Sequence, residues 1–167
     1  YLTYRYYLAT LSAEKKLKKE HQKVNAALNE RNQALEHLNR ELAEAADYVR
    51  TILPQPMTEG AIRTDWRFVP STSLGGDAFG YHWVDEDHFA VYLIDVSGHG
   101  VGAALLSVSV MNVLRSQSLP KTDFRAPEQV LESLNLAFPS EENNDMFFTI
   151  WYGVYKKSTS ELTFASG

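Results

Sequence analysis

A long run without glycine or proline, residues 12–53, constrains the fold of this chain more than any other feature. Its apolar residues recur at intervals of three and four, the pattern of a coiled-coil seam. This heptad seam consists of Leu17, Val24, Leu28, Leu35, Leu38, Leu42, Ala45, Val49 and Ile52. His21 and Arg31 also occupy seam positions, and polar residues there weaken pairing but often set its register. We predict a coiled-coil signalling helix over residues 12–53 that joins two chains in a homodimer; a single helix lying on a globular domain is the alternative.

The chain divides at the end of this run. Pro54 and Pro56 end the helix, because proline cannot continue it. Residues 54–167 then alternate apolar and polar runs with glycine-containing turns, as expected for a globular domain. Residues 1–11, which are rich in tyrosine, are expected to be the end of an upstream module.

The composition excludes several classes of function. The net charge of −5 and the lack of a basic patch argue against nucleic-acid binding. Without cysteine, the chain has no disulfide, thiolate metal site or cysteine nucleophile, which fits a reducing, cytoplasmic location. No apolar run approaches the ~18 residues of a membrane span, so no direct membrane insertion is expected.

The globular part is predicted to mix an antiparallel sheet with helices, an α+β fold. Alternating residues 62–68 predict a first strand, and residues 80–84 and 89–94 predict a hairpin around the turn at 85–87. Residues 102–118 and 127–138 have helical periodicity, and residues 147–155 and 162–165 predict two further strands.

Two carboxylates stand next to glycines at the ends of the predicted hairpin. Asp77 closes Gly75-Gly76-Asp77, and Asp95 opens Asp95-Val96-Ser97-Gly98-His99-Gly100. A hairpin folds these two ends together at one edge, opposite its turn. Hard divalent cations prefer such oxygen ligands, and a metal beside an open cleft suggests hydrolysis. The alternative is that each aspartate caps a turn or a helix.

Other motifs in this region are weaker. Gly98-x-Gly100-x-x-Ala103 resembles a dinucleotide-binding turn, but Asp95 would repel a pyrophosphate and no acidic residue follows at the ribose position. Asp95, Ser97 and His99 are sequence neighbours, whereas a catalytic triad is assembled in space. His82 and His88 are expected on strand surfaces, and no histidine pair has zinc-site spacing.

Several motifs in order resemble the SpoIIE/RsbU-type bacterial serine phosphatases of the metal-dependent PPM (PP2C-like) superfamily. They are residues 52–56, the Gly-Gly-Asp run 66–77, the Asp-Val-Ser-Gly-His-Gly run 93–105, and the strands 146–154 and 162–167. The resemblance covers about residues 52–167 and rests on this combination, since each motif alone is weak.

The resemblance implies an antiparallel β-sandwich flanked by helices, with two Mn²⁺ or Mg²⁺ ions at one edge. By position, Asp77, Asp95 and the backbone carbonyl of Val96 match the metal ligands of the family, and Asp77 and Asp95 are the catalytic residues. Metal-activated water would then dephosphorylate a phosphoserine protein, for which the family implies an anti-sigma-factor antagonist of the STAS type. The paired helix would control this activity.

The chain departs from the family pattern at two points. Gly80 stands where the family usually has an aspartate, and the further metal-binding aspartates of the family lie beyond the strand that ends near Ala165. Residues 54–167 therefore correspond to the N-terminal part of the phosphatase domain, with an incomplete sandwich. A non-catalytic dimerisation or scaffold module with a degenerate phosphatase-like domain is the alternative.

Overall fold

The computed structural model describes residues 2–69, 74–143 and 145–167 and contains two compact units, residues 1–42 and 43–167. Residues 1 and 70–73, the latter within the Gly-Gly-Asp run, lie outside the described residues. One helix, α1, extends over Leu2–Ile52 and accounts for most of the first unit. Part of its predicted heptad seam is exposed in the single chain, from 45 % at Leu35 to 69 % at Leu17. The seam residues Leu42, Val49 and Ile52 are partly buried. Coiled-coil pairing and the assignment of residues 1–11 to an upstream module stay predictions.

The second unit contains a four-stranded antiparallel sheet in the order β1-β2-β3-β4. The strands are β1 (Ala78–Trp83), β2 (His88–Val96), β3 (Phe148–Lys156) and β4 (Glu161–Ser166). Two helices, α2 (Val101–Arg115) and α3 (Pro127–Ala137), connect β2 to β3, and a 3-10 turn, Ser140–Glu142, follows α3. The four strands and the helices α2 and α3 lie within a few residues of their predicted positions, whereas the 3-10 turn was not predicted.

The core lies between one face of the sheet and the two helices. Alternate residues of β2 point to this inner face, because successive side chains of a strand face opposite sides. The buried cluster includes Ala90, Tyr92, Ile94 and Val96 from β2, Tyr152 and Val154 from β3, Val110 and Leu114 from α2, and Val130 and Leu134 from α3. The outer face is more exposed; Leu93 and Phe164 are 57 % and 61 % accessible.

The last turns of α1 belong to the globular unit. Leu53, directly after the helix, is 3 % exposed within the core, and Ala46 forms a small buried cluster with Leu74 and Ala104. A hydrogen bond also anchors the segment that follows the helix: the indole Nε1 of Trp66 donates to the carbonyl of Pro54 at 2.9 Å. The end of the helix is therefore fixed to the sheet.

The predicted strand at residues 62–68 is wrong. The structure has no regular element over these residues. Trp66 and Phe68 still face the outer side of the sheet, where both rings pack against Phe79. Alternation correctly indicated which side chains face the sheet, but no neighbouring strand pairs with this backbone in the part of the chain that the structure describes.

The predicted α+β class, with a long N-terminal helix, is confirmed. The described residues form one antiparallel layer of four strands covered by helices, so the second layer of the predicted sandwich is not among them. Within the described chain, no helix combines the length and apolar character needed to cross a membrane.

Candidate metal centre

The register of the β1–β2 hairpin sets Asp77 beside Asp95. Ala78 pairs with Ile94 as the last ladder pair, and one further step along both strands places Asp77 opposite Asp95. Ala78, Ile94 and Val96 are buried on the inner face, so the alternating aspartates lie on the outer side and are exposed. The turn at residues 85–87 is at the other end of the hairpin, as the sequence predicted.

The two carboxyl groups interact directly. The pKa of Asp77 is raised by partial burial, then by the negative charge of Asp95, and then by a hydrogen bond between the two side chains. Such a hydrogen bond requires a proton on one carboxyl, because two carboxylates have only acceptors. Like charges held this close favour either protonation or a cation between them.

Glycine at position 76 lets the segment just before β1 approach the start of α2. A β-carbon there would come within 2.8 Å of the Val96 carbonyl oxygen and 3.1 Å of the Ala103 side chain. The Val96 carbonyl therefore lies against the backbone that leads into Asp77. Gly100 N–H donates to the Leu74 carbonyl at 3.0 Å, and Gly75 forms a bridge with His99, which closes the loop around the aspartates.

The remaining polar residues of the motif have structural or solvent-facing positions. Ser97 accepts the Phe147 N–H at its hydroxyl (3.0 Å) and donates its own N–H to the Phe147 carbonyl (2.8 Å), so it joins the loop to β3. His99 is exposed. Among the described residues, no three His, Cys, Asp or Glu side chains converge as a metal cluster, so the two aspartates are the acidic side chains that this site offers.

The expectation for the two strand histidines is half right. His88 is at the hairpin turn, where its Nδ1 lies 2.9 Å from both carboxyl oxygens of Asp85. His82 instead points into the core, and both of its ring nitrogens are buried. The sequence missed this because β1 has aromatic residues on both faces, so its pattern does not indicate which face the helices cover.

A groove of about 640 Å³ extends from the two aspartates across the outer face of the sheet. Thr149, the ladder partner of Asp95, lies beside the aspartates, and Trp66, Phe79 and Trp151 line the apolar part. The sequence analysis did not identify Thr149 or Trp151, because only the β2–β3 register brings them to this position.

Comparison with known families fits this geometry. Residues 85–167 match the family model of Stage II sporulation protein E. This part of the chain, about half of its length, is of the SpoIIE type. The SpoIIE match contains Asp95 and Val96, whereas Asp77 precedes it by eight residues.

Two known proteins are similar to this chain. The phosphoserine phosphatase RsbP of Bacillus subtilis (strain 168) is 29 % identical over 106 residues, which cover 64 % of this chain and 26 % of RsbP. The SiaA-PP2C domain of Pseudomonas aeruginosa has a similar structure, with a TM-score of 0.63 and 20 % identity, over 80 % of this chain and 55 % of that one. The fold is thus PP2C-like, and the chain spans about a quarter of the length of RsbP.

Proposed function

We propose that this chain is part of a metal-dependent protein serine phosphatase of bacterial signalling. Its substrate would be a phosphoserine regulator of the anti-sigma-factor antagonist (STAS) type, and its paired N-terminal helix would control the activity. The observation that carries the proposal is the hairpin register, which sets Asp77 beside Asp95 at one end of the hairpin. The similarity to a protein named phosphoserine phosphatase supports the choice of substrate.

The donor set fits a weakly held divalent cation. Asp77 and Asp95 would bind Mn²⁺ or Mg²⁺ through their carboxylates, with the Val96 carbonyl as a third oxygen. Mg²⁺ commonly keeps several waters and uses only one or two protein carboxylates, so this set suffices for such binding. The raised pKa of Asp77 agrees with a site that gains from a positive charge. A pair of divalent ions, when bound, supplies an activated water and offsets phosphoryl charge.

The chain's own residues would orient and shield the reaction. The hydrogen bond from the Gly100 N–H to the Leu74 carbonyl joins the segments that carry Asp95 and Asp77 without using either carboxylate. Thr149 presents a hydroxyl beside Asp95, where it can donate to a phosphoryl oxygen. The apolar residues of the groove, Trp66, Phe79 and Trp151, would exclude water on one side.

The helical linker is a suitable element for control. α1 is continuous from Leu2 to Ile52, and Leu53 is buried in the same core as Val96 and Ala103. A change in how two such helices pair would therefore act on the segment next to the aspartates. A two-state change of this kind is a common switching device.

Exchange of one carboxylate tests the proposal. We expect Asp95→Asn in the full-length protein to reduce Mn²⁺-dependent hydrolysis of a phosphoserine protein or p-nitrophenyl phosphate by at least about a hundredfold, since even loss of a ligand's outer partner costs 10- to 100-fold. Glu86→Gln is the control, because Glu86 is exposed at the opposite end of the hairpin. Equal activity of Asp95→Asn and wild type would refute the proposal.

Metal removal is a second test. Chelation of divalent ions with EDTA is expected to abolish hydrolysis, and added Mn²⁺ or Mg²⁺ is expected to restore it. Hydrolysis that continues after chelation would contradict the mechanism, whatever the effect of the Asp95 exchange.

A non-catalytic dimerisation or scaffold module is the second candidate. The observation in its favour is that the described residues provide two acidic side chains at the site rather than a larger cluster. For this candidate, the full-length protein would bind a phosphoserine protein or pair with itself, and it would release no phosphate with either metal.

A further inference from the structure

His82 is a half-buried histidine whose two ring nitrogens are shielded from solvent. It pairs with Ala90 in the β1–β2 ladder and lies on the inner face of β1, between the sheet and the helices. Within the described chain, neither Nδ1 nor Nε2 has a partner, and both atoms are shielded from solvent. Buried polar groups almost always have a hydrogen-bond partner, so this residue requires an explanation.

The surroundings of His82 suit the neutral ring. From β2, Tyr92 meets the imidazole edge-on with the ring centroids 5.9 Å apart, and Tyr152 of β3 stacks on Tyr92. Burial raises the pKa of both tyrosines, so these groups stay uncharged. From α2, the charged group that acts on His82 is Arg115, whose positive charge opposes a second one.

We propose that protonation of His82 in mildly acidic solution weakens the packing of α2 on the sheet, so that this residue makes the globular unit acid-sensitive. A protonated imidazole has two N–H donors, and neither ring nitrogen has an acceptor among the described residues. The charged ring must therefore remain near the Arg115 guanidinium or leave the core. The ring that packs on His82 in the described part of the chain is Tyr92, which offers no carboxylate to compensate the charge. The effect concerns folding and does not depend on phosphatase activity.

The direction follows from the proton affinities of the two states. Burial, and to a smaller extent the charge of Arg115, lowers the pKa of His82 from 6.5 to about 4. Between these values the unfolded chain binds the proton and the folded chain does not. The free energy of unfolding that depends on a neutral His82 is therefore fully present above about pH 6.5, and it decreases as the pH falls towards 4.

The position of α2 gives this loss a local consequence. α2 begins at Val101, six residues after Asp95, and its Ala103 side chain lies against Gly76. Displacement of α2 would remove the support of the loop that holds both aspartates. The acid response would thus reach the candidate metal centre through packing.

Urea unfolding of the chain at pH 7.5 and pH 5.0 tests this inference. For wild type we expect the unfolding constant of the globular unit to be roughly tenfold to thirtyfold higher at pH 5.0. In His82→Phe, which keeps a flat ring without a titrating group, the increase should be no more than about threefold. His99→Gln is the matched control; it changes an exposed histidine and should retain the wild-type increase.

A titration of wild type avoids dependence on any variant. The carbon-bound ring protons of the histidines, followed by NMR from pH 8 to pH 4.5, should show one ring that remains neutral below pH 5. Assignment of that ring to a histidine other than 82, or titration of His82 near pH 6.5, would overturn the inference. An equal pH dependence in His82→Phe and wild type would do so as well, and His82→Leu replaces the phenylalanine variant if that one does not fold.

Discussion

Gly80 illustrates how one missing side chain determines the packing of the sheet. It pairs with Tyr92, and a β-carbon at position 80 would overlap the Tyr92 ring. The ring cannot move away easily, because Tyr92 is 1 % exposed and stacks on Tyr152. In this chain Tyr92 thus fills the space in front of the position where the family usually has an aspartate.

Gly80→Ala is accordingly expected to destabilise the globular unit by about 1–3 kcal/mol, the usual cost of overpacking a core. Chemical denaturation at neutral pH measures it. Gly102→Ala is the control, since its β-carbon would make an ordinary 3.5 Å contact with the Met146 side chain. Gly102 lies in α2, where alanine is more favourable than glycine by about 1 kcal/mol. An unchanged denaturation midpoint for Gly80→Ala would contradict this, because it would show that the Tyr92 ring can move to make room for the methyl group.

The two aspartates were predictable from sequence, whereas His82 was not. A hairpin with a short polar turn has a simple register, so the distance of Asp77 and Asp95 from that turn is sufficient to bring them together. The orientation of His82 depends on which face α2 covers, and this is a tertiary property. Thr149 was missed for the same reason, because its position depends on a register between distant segments.

At the scale of elements, the heptad seam of α1 is the feature with the clearest consequence. Leu28, Leu35 and Leu38 are 47 %, 45 % and 51 % exposed in the single chain, more than an apolar stripe in water favours. Pairing with a second copy would cover these side chains. The sequence was sufficient to predict this seam, because the three- and four-residue spacing of apolar residues does not depend on contacts with distant segments.

Leu35→Asp tests the seam. Loss of a buried leucine costs about 1.5–3 kcal/mol in each of the two helices, so the dimer dissociation constant should increase at least about a hundredfold. Sedimentation of the full-length protein measures this, together with phosphatase activity. Gln33→Asp adds the same charge outside the seam and should leave both unchanged. If dimerisation and activity are both unchanged in Leu35→Asp, the seam does not pair the chains.

Residues 62–68 show where element prediction fails. Their alternation has the period of a strand, and the side chains of Trp66 and Phe68 do pack on the sheet. A strand, however, exists only when a neighbouring strand provides hydrogen bonds. In the described segments this stretch instead bonds to the residues just before it, as in Thr64 N–H to the Met57 carbonyl at 2.9 Å.

At the scale of the whole molecule, α1 contributes differently along its length. Leu38 is 51 % exposed, whereas Leu53, just beyond the last turn, is 3 % exposed in the core of the globular unit. We expect Leu53→Ala to destabilise that unit by about 2–5 kcal/mol. Leu38→Ala is the matched control and should leave its urea midpoint unchanged. Equal midpoints for the two variants would show that the buried helix end contributes nothing to stability.

The indole rings of Trp66 and Trp151 line the same groove as the two aspartates. Tryptophan fluorescence should therefore respond to an ion that binds the two carboxylates. Paramagnetic Mn²⁺ should dim the fluorescence, while diamagnetic Mg²⁺ at equal occupancy should leave its intensity nearly constant. A competition between the two ions, followed at one wavelength, would give both affinities without any label.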